Sequence, residues 1–179
     1  MNIIETKFQD SVIIEPKLFG DDRGFFMETF QVKRYKELAG IELPFVQDNH
    51  SRSSKGILRG LHFQINKPQG KLVRVVHGEV FDVFVDLRVN SPTFGLWDSC
   101  ILSSENHLQL WVPPGFAHGF YVMSDFVDFE YKCTDYYDAK DEGSIHWNDP
   151  DLNISWPNTK NIITSKKDSE ALLFNQIHF

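Results

Sequence analysis

The chain has 179 residues, a length that fits one domain with a substantial hydrophobic core. Its formal net charge of -7 argues against nonspecific nucleic-acid binding, although a local group of cations could still hold a small anion. The sequence contains no apolar run of membrane-spanning length and no segment typical of a signal peptide, which predicts no membrane partner and a cytoplasmic location. Cys100 and Cys133 lack the spacing of a disulfide or metal motif and are expected to be buried free thiols.

The first forty residues predict strands followed by one helix. A strand is expected at 12–16, a turn at 21–24 and a second strand at 25–30. Apolar residues then recur at helical spacing over 31–39, and Gly40 is placed where a glycine commonly ends a helix.

From residue 44 onward the pattern changes to short strands separated by turn residues. Residues 79–88 show it most clearly, because apolar side chains at 81, 83, 85 and 87 alternate with a more polar face. Further strand-like runs follow at 101–102, 108–112, 120–123 and 126–133, and a short helix is expected around 167–173. Many short strands with little helix predict an all-β protein, an antiparallel sandwich or barrel.

One strand-like stretch, 57–64, carries polar residues among apolar ones. In an ideal strand, His62 and Gln64 point one way and Arg59 points the other. His62 could simply be a core histidine with one hydrogen bond. Further polar residues lie in or beside strand-like runs: Lys71, Asp82, Asp86, His118 and Tyr131. A barrel interior that accumulates such groups is typical of a site for a polar ligand.

A metal site is one alternative. The proline, glycine and histidine spacing of residues 113–118 resembles the second motif of the cupin superfamily, in which many members bind a metal. The first motif of those members supplies two histidines one residue apart, whereas here Gln64 stands in the second position after His62. Lys71 nearby would also repel a divalent cation. The sequence therefore predicts no metal, and a metal-dependent cupin enzyme is kept only as an alternative.

Motifs that carry a second and fuller resemblance run along most of the chain. They are Asp22-Arg23-Gly24-Phe25-Phe26, Val46-Gln47-Asp48-Asn49-His50-Ser51, Leu58-Arg59-Gly60-Leu61-His62-Phe63-Gln64, Gln69-Gly70-Lys71-Leu72-Val73-Arg74, Asp86-Leu87-Arg88, Ser91-Pro92-Thr93-Phe94-Gly95, Pro114-Gly115-Phe116-Ala117-His118-Gly119-Phe120, Tyr131-Lys132-Cys133-Thr134 and Trp147-Asn148-Asp149-Pro150. In this order and spacing they resemble the dTDP-4-dehydrorhamnose 3,5-epimerase family. The resemblance implies an antiparallel cupin-like jelly-roll barrel with a few short helices, no cofactor, and one epimerase domain over 1–179 whose barrel core spans roughly 44–157.

The activity implied by the resemblance is the inversion of C3 and C5 of dTDP-4-dehydro-6-deoxy-glucose through an enolate, giving dTDP-4-dehydro-L-rhamnose. A neutral histidine suits the base because its ordinary pKa of about 6.5 lies near neutral pH. The resemblance implies His62 as this base, Asp168 as the carboxylate that orients it, Lys71 as the cation at the enolate oxygen and Tyr131 as the proton donor on the opposite face. Without the resemblance, Tyr131 could be a core tyrosine, and Lys71 and Asp168 could be surface charges.

The resemblance also implies a set of residues that bind the nucleotide sugar. They are Arg23, Glu28, Gln47, Asp48, Asn49, Arg59, His118, Tyr137, Glu142 and Lys167. Arginine suits the diphosphate oxygens, and the ring of Tyr137 suits stacking on the base. In the family, the residues matching Arg23 and Glu28 reach into the partner subunit's site, so a homodimer with shared sites is expected.

Two alternatives remain open from the sequence: a 3-epimerase or 5-epimerase that acts on a related nucleotide-linked 4-keto-deoxysugar, and a noncatalytic cupin that binds a sugar nucleotide. The opposite directions of Arg59 and His62 in an ideal strand also leave two expectations. Either Gly60 permits a bulge or twist that turns both side chains inward, or Arg59 reaches the ligand from the rim of the barrel.

Overall fold

Strands make up most of the structure, a computed structural model that describes residues 1–158 and 160–178. In chain order the elements are β1 (Asn2–Glu5), β2 (Val12–Glu15), β3 (Leu18–Asp21), β4 (Gly24–Met27), α1 (Val32–Ala39), β5 (Gln47–Ser54), β6 (Leu58–Gln64), β7 (Lys71–His77), β8 (Glu79–Asp86), β9 (Trp97–Ser103), β10 (Gln109–Val112), β11 (Phe116–Val122), β12 (Phe126–Cys133), β13 (Glu142–Ser144), α2 (Lys166–Ser169) and a short 3-10 helix (Phe174–Gln176). The predicted all-β class with a few short helices is confirmed.

Two antiparallel sheets form the barrel. A six-stranded sheet has the order β1-β2-β10-β7-β12-β5, and a five-stranded sheet has the order β13-β6-β11-β8-β9. Side chains of both sheets meet in one core: Val73 and Phe129 come from the six-stranded sheet, and Phe84 and Phe120 from the five-stranded sheet. This is the jelly-roll arrangement predicted from the sequence. The N-terminal strands join it directly, because β2 pairs with β10.

Parts of the outer faces of both sheets are covered by other segments of the chain. Helix α1 lies over the six-stranded sheet through the buried Tyr35; Gln31 caps its start and Gly40, with φ of 68°, ends it, as predicted. The C-terminal segment packs Trp156 and Phe174 on the five-stranded sheet. None of the described helices is long and apolar enough to cross a bilayer.

The predicted helix at 167–173 is shorter than expected. Helix α2 spans only Lys166–Ser169, because Leu172 instead forms a parallel bridge with Ile145 at the end of β13. The segment therefore follows the sheet edge rather than continuing as a helix.

The hairpin of β3 and β4 stands apart as a two-stranded sheet. Its turn falls at the predicted position, between Asp21 and Gly24, while the predicted strand at 25–30 stops at Met27. Phe25 and Phe26 on this hairpin are 58% and 69% exposed. Such exposed aromatic surface on a small hairpin is typical of a segment that meets another molecule.

A β-bulge interrupts the pairing of β6 with β11. The register shifts between His118 and Phe120, so that residues 60–61 of β6 lie opposite a single residue of β11. One extra residue reverses the alternation of side chains beyond it. Arg59 and His62 therefore point into the same cavity, and of the two expectations for this strand the structure shows the bulge at Gly60.

Gly60 is suited to this bulge by its missing side chain. Its φ is +121°, and a Cβ on it would lie 2.6 Å from the Cα of Gly119. Any larger residue at position 60 would push β6 away from β11 at the bulge, between Arg59 and His62.

Asp86 ties together the turn that follows β8. Its side chain is fully buried and accepts hydrogen bonds from the Arg88 guanidinium and from the hydroxyls of Ser91 and Thr93. Burial alone would raise the pKa of Asp86, but these hydrogen bonds outweigh it and lower the pKa to about 2. Two of the sequence motifs, 86–88 and 91–95, thus serve a structural turn.

The substitution Asp86→Asn is expected to lower the free energy of unfolding by about 3 kcal/mol at neutral pH, since the fully buried carboxylate of a salt bridge is lost and Arg88 is left with Asp10 as its ionic partner. A carboxylate whose pKa is depressed on folding stabilises the fold above its unfolded pKa of about 3.9, and this contribution disappears as the pH falls toward about 2. Denaturant melts of both proteins at pH 7 and pH 2.5 check this. An equal difference at the two pH values would contradict it.

Candidate active site

A cavity with a volume of about 340 Å³ lies between the two sheets and collects most of the predicted site residues. Those lining it are Gln47, Asn49, Arg59, His62, Lys71, His118, Tyr131, Tyr137 and Glu142. A cavity of about 390 Å³ adjoins it, shares several of these residues and adds Lys167 and Asp168. The two cavities form one cleft, and the bulge in β6 lies on their common wall.

Three predicted residues are not brought to this cleft within the chain. Asp48 follows Gln47 in β5, so strand alternation turns it to the outer face, where its carboxylate accepts a hydrogen bond from Lys132 at 3.0 Å. Arg23 lies at the tip of the β3–β4 hairpin and pairs with Asp21, next to it in the turn. Glu28 pairs with Arg34 of α1.

His62 and Asp168 form a close pair. The distance from His62 Nε2 to Asp168 Oδ1 is 2.6 Å, and Asp168 is 2% exposed whereas the side chain of His62 is 30% exposed toward the cleft. A neutral His62 that donates its Nε2–H to Asp168 keeps the lone pair of Nδ1 for a substrate proton. The arrangement is that of a base supported by a buried carboxylate.

Asp168 is held ionised by several donors. Burial alone would raise its pKa, but hydrogen bonds from His62, from the Ser165 side chain and from the Gly60 amide lower the pKa below its ordinary value. Ser165 also caps α2 by accepting the Asp168 amide at 3.1 Å. The same bulge that turns Arg59 inward thus supplies a backbone donor to the carboxylate.

Lys71 and Tyr131 line the cavity from the sheet that faces His62. Lys71 begins β7 and Tyr131 lies on β12, both in the six-stranded sheet, whereas β6 belongs to the five-stranded sheet. Neither the Lys71 ammonium nor the Tyr131 hydroxyl bonds another described residue. Burial lowers the pKa of Lys71 and raises the pKa of Tyr131. Tyr131 is thus a neutral phenol near pH 7, and both groups are available to a ligand.

His118 has a buried partner that sequence reasoning did not assign to the site. His118 Nε2 lies 2.8 Å from Asp82 Oδ1, and Asp82 is fully buried, which raises its pKa. Asp82 was visible as a polar residue in an apolar strand, but its pairing with His118 depends on the register between β8 and β11. The stacked rings of Phe120 and Phe129, 4.3 Å apart, form an apolar part of the same lining and were also not predicted.

Charged and aromatic residues mark the open end of the cleft. The Arg59 Nε donates to Ser53 Oγ at 2.8 Å and a terminal nitrogen donates to the Arg52 carbonyl oxygen at 3.5 Å, so one edge of the guanidinium is held while the residue lines the cavity. Lys167 pairs with Glu142, whose carboxylate also accepts the Tyr137 hydroxyl at 2.8 Å. Two cations, Arg59 and Lys167, therefore lie at the opening, where they suit an anionic group.

The donor set does not fit a divalent metal. Among residues 1–158 and 160–178 no group of three or more histidine, cysteine or carboxylate side chains is arranged to hold one. Gln64, in the position of the second cupin histidine, directs its amide to main-chain groups of neighbouring loops.

The fold and the site together define an acid–base enzyme built on an antiparallel jelly roll. The sequence model of the family described as dTDP-4-dehydrorhamnose 3,5-epimerase matches residues 5–176. The chain belongs to this family, as its motifs predicted, and the predicted class of enzyme, an isomerase, is confirmed.

Individual relatives agree with the family match. The dTDP-4-dehydrorhamnose 3,5-epimerase of Escherichia coli K12 is 51% identical over 178 residues, which cover 99% of this chain and 96% of that protein. The crystal structure of dTDP-6-deoxy-D-glucose-3,5-epimerase from Legionella pneumophila in complex with dTDP-4-keto-L-rhamnose has a TM-score of 0.96 and 59% identity, covering 99% of this chain and 94% of that one. A 3'-monoepimerase from Streptomyces bikiniensis in complex with dTDP-quinovose has a TM-score of 0.88 and 29% identity, covering 95% and 86%.

Proposed function

We propose that this protein inverts C3 and C5 of dTDP-4-dehydro-6-deoxy-glucose to give dTDP-4-dehydro-L-rhamnose. The observation that carries the proposal is the placement of His62 and Tyr131 on opposite sheets, with the cavity between them. Inversion at carbon needs a proton removed from one face and returned to the other. A base on one wall and an acid on the facing wall meet that requirement for a flat sugar ring held between the sheets.

The chemistry begins at the 4-keto group, which acidifies the protons on both neighbouring carbons. His62, supported by Asp168, removes one proton, and the charge passes to the ketone oxygen as an enolate. Lys71 stabilises this oxygen from a half-buried position in the lining of the cavity, where a fixed cation is more effective than in bulk water. Tyr131 then delivers its proton to the opposite face, since its raised pKa keeps the phenol protonated until the enolate forms. The substrate's ketone acts as the electron sink, so no cofactor is included.

The nucleotide end of the substrate occupies the outer part of the cleft. Arg59 and Lys167 suit the diphosphate, because charge-assisted hydrogen bonds to phosphate oxygens are strong. Lys167 already pairs with the carboxylate of Glu142, so the diphosphate competes with this carboxylate for the Lys167 ammonium group. Tyr137 lies 53% exposed at this end and suits stacking on the base.

Solvent exchange tests the number of centres inverted. In deuterium oxide the enzyme is expected to incorporate deuterium at both C3 and C5 of dTDP-4-dehydro-6-deoxy-glucose, because each inversion replaces one carbon-bound proton by a solvent-derived one. Proton NMR of the sugar follows both positions. Label at C3 alone would instead favour the activity of the S. bikiniensis relative, a monoepimerase, and the absence of label would favour a binding protein.

A homodimer with shared sites is part of the proposal. The β3–β4 hairpin exposes Phe25 and Phe26, and Arg23 at its tip has a side chain that is 89% exposed. Arg23 lines neither cavity of its own chain, although it is a cation predicted for the substrate site. An arm that buries its aromatic residues on a second copy would carry Arg23 and Glu28 toward that copy's cleft.

Mixed dimers test this sharing. Arg23→Ala and His62→Ala are each expected to be poorly active alone. When the two are unfolded and refolded together, a dimer of one chain of each has one site with both residues intact, so activity is expected to return to about a quarter of the wild-type value with random pairing. Co-refolding each variant with itself is the control. No recovery in the mixture, with dimers present by sedimentation, would contradict shared sites.

A cytoplasmic location completes the proposal. Cys133 is buried and Cys100 is only half-buried, which corrects the expectation that both are buried, and both are free thiols. Free thiols of this kind are typical of a reducing compartment.

A further inference from the structure

The main chain of Tyr137 is held by hydrogen bonds to the peptide units on both sides of its α-carbon. Gln64 Nε2 donates to the carbonyl oxygen of Tyr136 at 3.3 Å, and Gln47 Oε1 accepts the amide of Tyr137 at 3.0 Å. Gln64 Oε1 also accepts the amide of Asp138 at 2.8 Å. Two glutamine side chains therefore fix the peptide units that precede and follow Tyr137, an arrangement we call the glutamine clamp.

Gln64 commits its whole amide to this task. It lies on β6 two residues beyond His62, is 6% exposed, and donates its second N–H to the carbonyl of Lys67 at 2.8 Å. Both donors and the oxygen are thus bound to main-chain groups of the two loops that flank the cleft. Although Gln64 lines the cavity, its polar atoms face these loops and not a ligand.

The side chain of Tyr137 has little else to fix it. It is 53% exposed, and its one hydrogen bond, to Glu142, joins it to a residue that also pairs with Lys167 at the cleft entrance. Because the residue is more than half exposed, the position of its ring depends largely on the main chain that carries it. The clamp supplies that constraint before any ligand is bound, which lowers the ordering cost of binding.

We propose that Gln64 is a positioning residue for Tyr137 and that, through the clamp, it sets the affinity of the cleft for the nucleoside diphosphate end of the substrate. The inference rests on the proposed function, in which Tyr137 stacks on the base. It also assigns a task to the position that holds a metal-binding histidine in other cupins: here the side chain orders a binding loop instead of a metal.

The test is a double-mutant cycle on dTDP binding, with Gln64→Met and Tyr137→Ala. Methionine matches glutamine in length and removes all three hydrogen bonds. Gln64→Met is expected to weaken dTDP binding roughly tenfold and to raise KM for the nucleotide sugar, while kcat changes less than about threefold. In the Tyr137→Ala background, Gln64→Met is expected to have almost no further effect, because a residue that acts only through Tyr137 loses its influence with it.

The controls separate the inference from the function on which it rests. Tyr136→Ala removes a neighbouring ring that is 65% exposed but keeps the carbonyl that Gln64 binds, so dTDP affinity should stay within about twofold. Gln64→Glu is of equal size, keeps the acceptor and loses both donors, so it should also weaken dTDP binding. It replaces Gln64→Met in the test if that variant proves unstable in thermal melts.

Three outcomes would overturn either the stacking role of Tyr137 or the positioning role of Gln64. Unchanged dTDP affinity in Tyr137→Ala overturns the stacking role of Tyr137. Weakened binding in Tyr137→Ala with normal binding in both Gln64 variants overturns the clamp alone. A loss in Gln64→Met that persists at full size in the Tyr137→Ala background also overturns the clamp, because Gln64 would then act on the ligand by another route.

Discussion

Replacing His62 by alanine is expected to abolish deuterium incorporation at both C3 and C5 and to lower kcat by about 10³-fold or more. The size follows from the usual contribution of a positioned general base, about 10²–10⁴-fold. Both centres should be lost together, because His62, supported by Asp168 on the wall opposite Tyr131, is the base proposed for C3 and C5 alike.

The measurement is NMR-monitored exchange, with dTDP affinity as the control. His62 is proposed to act on the sugar ring, whereas Tyr137 is proposed to stack on the base, so His62→Ala should bind dTDP as the wild type does. Exchange that continued at C5 alone would identify a second base. His118, paired with the buried Asp82 in the same cavity, would be the residue to examine next.

Replacing Tyr131 by phenylalanine is expected to separate proton removal from inversion. His62 and Lys71 remain in place, so the enolate still forms, but the facing wall has no proton to return. His62 then delivers a solvent deuteron to the face from which it took the proton. The variant should therefore incorporate deuterium with retention of configuration, while net epimerisation falls by about 10²–10⁴-fold.

The configuration of the labelled sugar decides this prediction. Coupling constants in the NMR spectrum distinguish the starting sugar from the product at each centre. Phenylalanine keeps the ring that contacts Phe129 and removes only the hydroxyl, so the barrel core should be unaffected. Inverted product formed at the wild-type rate would show that another group supplies the second proton.

Much of the fold followed from the sequence because its signals are local. Alternation over 79–88 and the turn residues between short runs identify the strands, and the spacing over 31–39 with Gly40 identifies α1. The helix around 167–173 was overestimated, since the pairing of Leu172 with Ile145 depends on a distant strand. Local propensity cannot reveal which main-chain partner a short segment will find.

The site was predictable only where its residues stand in recognisable motifs. His62, Lys71 and His118 stand out as polar groups in apolar strands, whereas Asp168 lies in a charged run that looks like solvated surface. Its burial follows from the docking of the C-terminal segment on β6, 106 residues away in sequence. Asp48 shows the reverse: it stands in a motif beside Gln47 and Asn49, yet alternation places it outside the cleft of its own chain.

The location of Asp168 also separates the stability of the catalyst from the stability of the barrel. His62 belongs to a strand paired on both sides, whereas Asp168 lies on a helix of four residues, in a segment joined to the barrel through the Ile57–Ile163 and Ile145–Leu172 bridges. Segments with few hydrogen bonds open at lower free energy than central strands. Detachment of this segment would leave a folded barrel whose base lacks its carboxylate and whose cleft lacks Lys167. Catalytic competence is therefore lost before the fold is.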